Sequence, residues 1–516
     1  MLVPVPTSGP VLTCAPRRCS LSPRSSTALR TCSFYTPHTA ARSRALGRRT
    51  CRRDTAAVSI TASAAAEPVL EKEAPNAVLG DLVAGVSVAF VCIPQSLAYA
   101  SLAQLSPTQG LHSNAIAPFG AAPVASSKYL QSGAVALSSL LTGAALTGIS
   151  LIPGTADFAA AASVLAAVVG VVRVAMGLLR GGTLIQLLPQ TVLDGFVLGA
   201  VWLVAATQIP VIVGASPPPG MHFISGAFWL LARPWMWQPG CVITAGATVG
   251  CLLGGKRIHP LFPGAVVATL LGCAASYAGL PVGNTVGAVA AGLPSPINMA
   301  HLPWHLLPQL AVAGAAIAVA GIAEAVAIGS RFAQEAGHKW DCNRELISQG
   351  ACNLLVAAFG GFPVAGSLSR TSLGRTAGAT SQRAHLVTGV AVCIFLPLGA
   401  ALLSALPKAV LGGLVFTAVM PLLKPSPSLL VTMTARQKAQ MVAGKAGSGA
   451  QVRNLFLGWT TTIVTLGASP HLELGLETGL VLAVALAALQ VIDNAYMEAL
   501  RDASENPNTV VVMDPY

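Results

Sequence analysis

GIAEAVAIGSRFAQEAGHKWDCNRELISQGACNLLVAAFGGFPVAGSLSRTSLGRTAG, residues 321–378, decides how this chain folds. It opens with an apolar segment that carries one carboxylate, Glu324, and then passes through a charged turn. A second apolar segment ends in Gly360-Gly361-Phe362-Pro363-Val364-Ala365-Gly366, and Ser367-Leu368-Ser369-Arg370-Thr371 follows at once. Glycine and proline between apolar segments predict a helix that starts or breaks at membrane depth. Such a break is tolerated only where the freed backbone faces protein or a water-filled cavity. One arginine and three hydroxyl residues beside it predict a polar site, not lipid-facing surface.

The composition around this stretch is that of a polytopic membrane protein. Of 516 residues, 53% are hydrophobic and 9% charged, whereas soluble domains carry about 25% charged residues. Mean hydropathy is +0.68. The net charge of +12 is not spread evenly. Residues 1–53 hold ten arginines, no lysine and no acid, and the remaining chain sets 20 basic residues against 18 acidic ones. The basic character belongs to a leader, so nothing in the charge argues for nucleic-acid binding.

A leader rich in Arg, Ser, Thr and Ala, with Asp54 as its first acid, has the composition of an organellar transit peptide. The small, hydroxylated run at 55–66 favours a plastid over a mitochondrion, and cleavage is expected between residues 50 and 66. A disordered basic tail is the plainer alternative, and the length of the acid-free run speaks against it. Four cysteines lie in the leader and seven after it, none in a CxxC. Most of them sit in apolar runs, where cysteine acts as a small hydrophobe. The nine histidines show no HExxH, and the one HxxxH pair, His301 and His305, has no Cys, Asp or Glu near it in the sequence, so no metal site and no cofactor are expected.

A spanning helix needs about 20 apolar residues, fewer if it is broken. Candidate spans fall at 81–102, 111–126, 133–149, 156–179, 184–213, 238–255 and 260–279. A second set falls at 306–334, 344–359, 366–379, 384–404, 406–423, 453–467 and 472–493. A short, glycine-interrupted segment takes third place in each set, at 131–140 and 366–376. Paired interrupted segments in corresponding positions point to the binding site of an inverted-repeat transporter. Between the sets, 282–308 is rich in Gly, Pro and Asn and reads as a linker. Residues 223–237 hold Phe228, Trp229, Trp235 and Trp237 around Arg233 and read as an interfacial, lipid-facing loop anchor. Residues 438–452 read as a flexible Gly/Ala loop.

Several motifs in order resemble the SulP family, the solute carrier 26 anion transporters, over roughly residues 78–495. They are Gly80-Asp81-Leu82-Val83-Ala84-Gly85, Ile93-Pro94-Gln95-Ser96-Leu97-Ala98-Tyr99-Ala100, Asn343-Arg344-Glu345-Leu346-Ile347, Gly361-Phe362-Pro363, Gly366-Ser367, Ser369-Arg370-Thr371 and Leu406-Pro407-Lys408-Ala409-Val410-Leu411-Gly412. The resemblance implies an all-α polytopic membrane protein with about fourteen transmembrane segments. They would form a seven-plus-seven inverted repeat divided into core and gate domains, with the third and tenth spans as short broken helices. The expected division is a transit peptide at 1–66, an N-terminal linker at 67–78, a first repeat at 79–281 and a linker at 282–305, then a second repeat at 306–495 and a tail at 496–516. The family commonly carries a C-terminal STAS domain. The stretch at 506–516 could be the first strand of one, so no complete STAS domain is expected: either the domain is absent or the sequence is cut short. The resemblance leaves room for a homodimer.

In the family the third and tenth spans face each other around the anion, and two half-helix N-termini supply unpaired N–H groups and partial positive charge. Here those starts fall at Gly133-Ala134-Val135 and Ser367-Leu368-Ser369-Arg370. The family usually has Gly-Pro-Val at the first, so Ala134 is a departure that removes a residue suited to helix position N1. Arg370 matches the family arginine near the anion; the alternative is a cation capping carbonyls at a helix end. Gln95 and Tyr99, four apart on one helical face, match cavity-lining positions. Gln95 could instead bond backbone freed by Pro94.

Glu324 lies mid-span, where a carboxylate is costly and commonly functional. Sodium-coupled bicarbonate members of the family carry Asp and Thr where this chain has Glu324 and Ile328, and Ile328 offers no side-chain oxygen. That departure argues for a proton rather than sodium as the coupling ion. A structural Glu324–Arg331 pair is the alternative use, across about 10 Å of helical rise. Asp194 reads as a helix-end residue, and Gly195 and Gly199 after it as close-packing positions.

The expected function is therefore secondary active transport of a small inorganic anion across a chloroplast envelope membrane. Sulfate comes first and bicarbonate second, with H⁺ and the bilayer as further partners. A nucleobase carrier would share the fold, but the Ser-Arg-Thr signature speaks against it. An uncoupled anion channel or exchanger is the rival from another class. No GxxxxGK[ST], GxSxG, paired aspartates or metal cluster appears in the sequence, so neither a nucleotide-driven pump nor an enzyme is expected.

Overall fold

The computed structural model describes residues 77–182, 189–218, 220–258, 262–290, 292–426, 429 and 448–505. The leader at 1–66, most of the linker at 67–78 and part of the 438–452 loop lie outside the described residues. Apolar runs punctuated by glycine and proline fold as helices almost throughout. In the first half these are α1 Ala77–Leu102, α2 Pro107–Ala121, α3 Ala136–Gly148, α4 Ala156–Leu178, α5 Gln190–Val213, α6 Phe223–Leu231, α7 Pro239–Ile258 and α8 Gly264–Tyr277. In the second they are α9 Leu307–Glu335, α10 Cys342–Ala358, α11 Leu368–Thr376, α12 Arg383–Ser404, α13 Lys408–Val419, α14 Ser448–Gly467 and α15 Glu473–Glu505.

Setting aside α6, each half has seven helices among the described residues, and their packing follows a two-fold rule. α1 packs on α12, and its counterpart α9 packs on α4. α2 packs on α12 as α10 packs on α4, and α5 on α14 as α13 on α7. This exchange of partners is what an inverted repeat requires. It leaves α1–α4 with α9–α12 as one bundle, the core. α5, α7, α8 and α13–α15 form the other, the gate. The two meet where α1 touches α8 and α13, where α3 touches α5, and where α9 touches α15.

Among the described residues, six helical segments are long and apolar enough to cross a membrane, and four shorter ones are apolar. Among the remainder, α2, α10 and α11 carry polar residues, and Ser113, Asn114, Gln349, Asn353 and Arg370 of these are buried. Several sequence boundaries shift. The 223–237 segment is not a loop; it forms α6 and a short turn Pro234–Met236, with Arg233 stacked 4.2 Å over Trp229. The 438–452 loop ends earlier than expected, since Ser448 already starts α14. α15 continues to Glu505 instead of stopping near 493.

The inter-repeat linker is held to the second repeat by backbone bonds. Val286 N–H donates to Leu406 O at 2.8 Å and Ile297 N–H to Ala358 O at 2.8 Å. Asp194 is the fifth residue of α5, past its first turn and not at the helix end expected, and it accepts from Gln190 Nε2 at 2.9 Å and from Ser426 Oγ at 2.9 Å. The following glycines bring α5 and α14 close: a Cβ at Gly195 would collide with the Gly458 carbonyl. Thr462 Oγ also donates to Gly195 O at 2.9 Å. Gly195→Ala is therefore expected to destabilise the purified protein by about 1–3 kcal/mol, as overpacking does. Gly246, with nothing within 4 Å of an added Cβ, is the control. Thermal unfolding in micelles checks both: Gly195→Ala unfolds at a lower temperature, Gly246→Ala does not.

Candidate functional site between two half-helices

The two broken segments meet at the centre of the core. After α10, Gly360 adopts φ +73°, a left-handed turn that favours glycine. Gly361 N–H then donates to Val356 O at 2.9 Å and Gly360 N–H to Ala357 O at 3.1 Å. This is a Schellman ending, and it frees the chain to run extended. The extended residues Ala365–Gly366 (β2) pair antiparallel with Ser132–Gly133 (β1), with Ser132 opposite Gly366 and Gly133 opposite Ala365. Each two-residue strand feeds a helix, β1 into α3 and β2 into α11. Because the strands run antiparallel, the helices leave in opposite directions and their N-termini face each other across the ladder.

Side chains from elsewhere hold this crossing in place. Asn353 of α10 donates to Val364 O at 3.0 Å and accepts from Val364 N–H at 2.9 Å. Ser113 of α2 accepts from Phe362 N–H at 3.1 Å. Gln349 donates to Ser132 Oγ at 2.7 Å, and His385 of α12 sits 3.1 Å from Ser132 N and 3.0 Å from Ser132 O. Thr371 of α11 accepts from Gln131 N–H at 3.0 Å. Replacing Asn353 with leucine strands the buried N–H of Val364, a cost of about 1–3 kcal/mol, while Val364 O keeps its bond from Arg173 Nη1. Asn353→Leu is expected to lower the unfolding temperature measurably, and an unchanged temperature would show that the crossing holds itself.

Neither half-helix caps itself. Val135 and Ser367 occupy the N-cap positions, and neither side chain accepts from a backbone N–H of its own helix. First-turn N–H groups on both sides are thus left for another acceptor. Ser367 Oγ pairs instead with Ser369 Oγ at 3.3 Å. Leu368 and Ser369 are exposed, while Ser367 and Arg370 are buried. Arg370 is 2% exposed. Its Nη1 donates to Asn114 Oδ1 at 3.1 Å and lies 3.6 Å from Cys92 Sγ. Its Nε and Nη2 have no hydrogen-bond partner among the described residues.

The carbonyl-capping role expected as the alternative for Arg370 belongs to another arginine. Arg173 of α4 is 0% exposed and donates Nη1 to Val364 O at 2.7 Å. Nε and Nη2 reach Ala318 O and Ile317 O, both at 3.4 Å. Gly321 is required beside it, since a Cβ there would strike Nη2. A single arginine inside an apolar span was a visible signal in the sequence, although no motif marked it.

The other expected residues gather nearby. Tyr99 is buried and close enough to Arg370 and Glu324 to feel their charges. Gln95 is half-buried, and its Oε1 has no partner among the described residues, so it does not bond backbone freed by Pro94 through that oxygen. Glu324 is half-buried, lies within charge range of Arg370 and Arg173, and makes no hydrogen bond or ion pair among the described residues. The Glu324–Arg331 pair does not form: Arg331 bonds Glu335 at 2.9 Å, and Glu335 also takes Arg375 at 2.6 Å. Ile328 is buried with Tyr129, Leu130, Ala325 and Phe332.

At the departure from the family pattern, Ala134 N–H donates to Asn114 Oδ1 at 2.9 Å, a bond that a proline could not make. No cluster of three or more His, Cys, Asp or Glu residues suited to a metal occurs among the described residues. The crossing thus keeps donors without acceptors among the described residues.

Comparison with known proteins agrees with this geometry. The chain is 28% identical over 465 residues to human solute carrier family 26 member 6, covering 84% of this chain and 58% of that one. It therefore spans little more than half the length of that relative. It is 29% identical over 360 residues to sulfate transporter 4.1, chloroplastic, of Arabidopsis thaliana, covering 66% of this chain and 50% of that one. Among solved structures, the murine solute carrier 26 family member A9 anion transporter in the inward-facing state shares the fold. The TM-score is 0.70 at 20% identity, over 81% of this chain and 69% of that one. The transmembrane domain of a cyanobacterium bicarbonate transporter, BicA, matches with a TM-score of 0.62 at 21% identity, over 75% of this chain and 97% of that one. Residues 78–443 match the model of the sulfate permease family, and the chain, a multi-pass membrane protein, belongs to that family.

Proposed function

We propose that this chain is a proton-coupled secondary transporter of small oxyanions, sulfate first, working in a plastid envelope membrane. Arg370 carries the reading: a buried guanidinium keeps two unfilled donors between two uncapped half-helix N-termini. A buried charge is costly unless paired, and a bound anion supplies the missing partner. Tyr99 and Gln95 line the approach, and Gly133, Ala134, Val135, Ser367, Leu368 and Ser369 provide the backbone around it. Glu324, half-buried and without a hydrogen bond or ion pair among the described residues, is the group that exchanges a proton. Ile328 contributes no oxygen beside it, which supports proton rather than sodium coupling.

Uptake by purified protein in proteoliposomes tests the whole reading, with labelled sulfate and bicarbonate compared, each with and without sodium. The expected result is sulfate accumulation driven by a proton gradient and indifferent to sodium. Sodium-dependent bicarbonate uptake would favour the second substrate. Downhill flux with no gradient-driven accumulation would make the protein a channel or exchanger.

Location rests on the acid-free leader and on the chloroplastic designation of the Arabidopsis relative. A fluorescent protein fused to residues 1–66 is expected in chloroplasts of transformed plant cells. Mitochondrial or cytosolic fluorescence would overturn the plastid assignment.

A further inference from the structure

We propose that Asn114 is a built-in competitor for the anion: its side-chain oxygen occupies donors that substrate must take over, and so sets affinity and selectivity at the crossing. The inference rests on reading the α3–α11 gap as the anion site. Asn114 lies on α2, outside every motif noted in the sequence, and is 1% exposed. Its Oδ1 accepts from Ala134 N–H at 2.9 Å, at the start of α3, and from Arg370 Nη1 at 3.1 Å. Its Nδ2 donates to Ser96 Oγ on α1, which in turn donates to Cys92 O at 2.6 Å.

One carboxamide oxygen thus takes a donor from each half of the repeat. A backbone N–H and a guanidinium N–H converging on one oxygen is the pattern an oxyanion oxygen would make. The oxygen also fills the space in front of Gly133, where an added Cβ would collide with it. Nε and Nη2 of Arg370 stay open beside it. A planar anion with few oxygens to place can use those two donors without disturbing Asn114; sulfate, with four oxygens, reaches for Ala134 N–H as well. One that needs Ala134 N–H as well must turn the amide away and break its bond to Ser96. Asn114 therefore penalises anions that demand more donors.

Two substitutions separate competition from scaffolding. Asn114→Asp is isosteric and keeps an oxygen on the same two donors. The change also gives up the Nδ2 bond to Ser96 Oγ, so helix content is read alongside binding. A competitor made permanently anionic blocks the site. The expected variant keeps wild-type helix content and loses both sulfate uptake and the sulfate-induced rise in unfolding temperature that a ligand of the native state produces. Asn114→Ala frees both donors, and the half-saturating sulfate concentration is expected to fall about tenfold, the worth of one net hydrogen bond.

Wild-type sulfate binding by Asn114→Asp would overturn the proposal, and so would weaker binding by a folded Asn114→Ala. If one variant does not fold, the other decides alone. Arg370→Ala in the same assay distinguishes the two levels. Unchanged sulfate affinity there removes the site reading itself. Weakened affinity there, with no gain in Asn114→Ala, removes the competitor only.

Discussion

Arg370→Ala raises the half-saturating concentration of sulfate roughly 30-fold or more, or abolishes uptake, while insertion and helix content stay at wild-type level. Removing one desolvated charge partner costs about 2–5 kcal/mol in comparable buried pairs. The substitution should spare the fold because little else depends on the guanidinium. Asn114 Oδ1 keeps its bond from Ala134 N–H at 2.9 Å, so no buried acceptor is stranded. Val364 O, the carbonyl most in need of a cation, is served by Arg173 at 2.7 Å. Nε and Nη2 of Arg370 lose nothing, since they bond to no described residue. Arg370→Lys keeps the charge but not the planar fork and is expected to fall between alanine and wild type. Uptake kinetics in proteoliposomes check the series. A well-folded Arg370→Ala with unchanged affinity would show that the arginine serves the structure alone.

The same residues show why part of this site was legible in the sequence and part was not. The break at 360–366 could be read because glycine and proline act locally: Gly360 turns left-handed and ends α10 where it stands. Arg370 could be read because a charge beside apolar runs has few uses at membrane depth. Gly195 and Gly199 could be read from their place on an apolar helix, and they do pack against α14. The crossing itself could not be read. Two-residue strands are too short to show a period of two, and β1 and β2 pair across more than 200 positions. Asn114, Gln349, Asn353 and His385 are single polar residues whose partners lie on remote elements, so no spacing betrays them. The far end of α15 was missed for a different reason. Its polar residues read as a tail, yet no glycine or proline stands between Gly479 and Pro507 to stop a helix. The two-fold exchange of packing partners appears only once helices are paired. The sequence carried just its faint trace, a short broken segment in third place in each half.

Glu324→Gln is expected to keep anion binding, with little dependence on pH, and to lose proton-driven accumulation. Glu324 faces no hydrogen-bonding partner among the described residues yet lies within charge range of Arg370 and Tyr99. An ionised carboxylate there repels an incoming anion in a medium that screens poorly. Protonation removes that repulsion and leaves Arg370 free to hold the anion. Linkage then acts equally in both directions: the proton favours the anion and the anion favours the proton. A carrier that moves with both bound is a symporter, and its apparent anion affinity improves as pH falls on the loading side. Glutamine resembles the protonated form at every pH, so its affinity stays at the low-pH level of the wild type. Exchange of one bound anion for another survives, because it needs no net proton movement. Uptake at several pH values under an imposed proton gradient, wild type against variant, decides the matter. If Glu324→Gln still concentrates sulfate in response to the gradient, the proton travels by another group. If the wild type needs sodium, then Ile328, buried with Phe332 and Leu130, is no bar to a cation. Bicarbonate would then replace sulfate as the substrate to pursue.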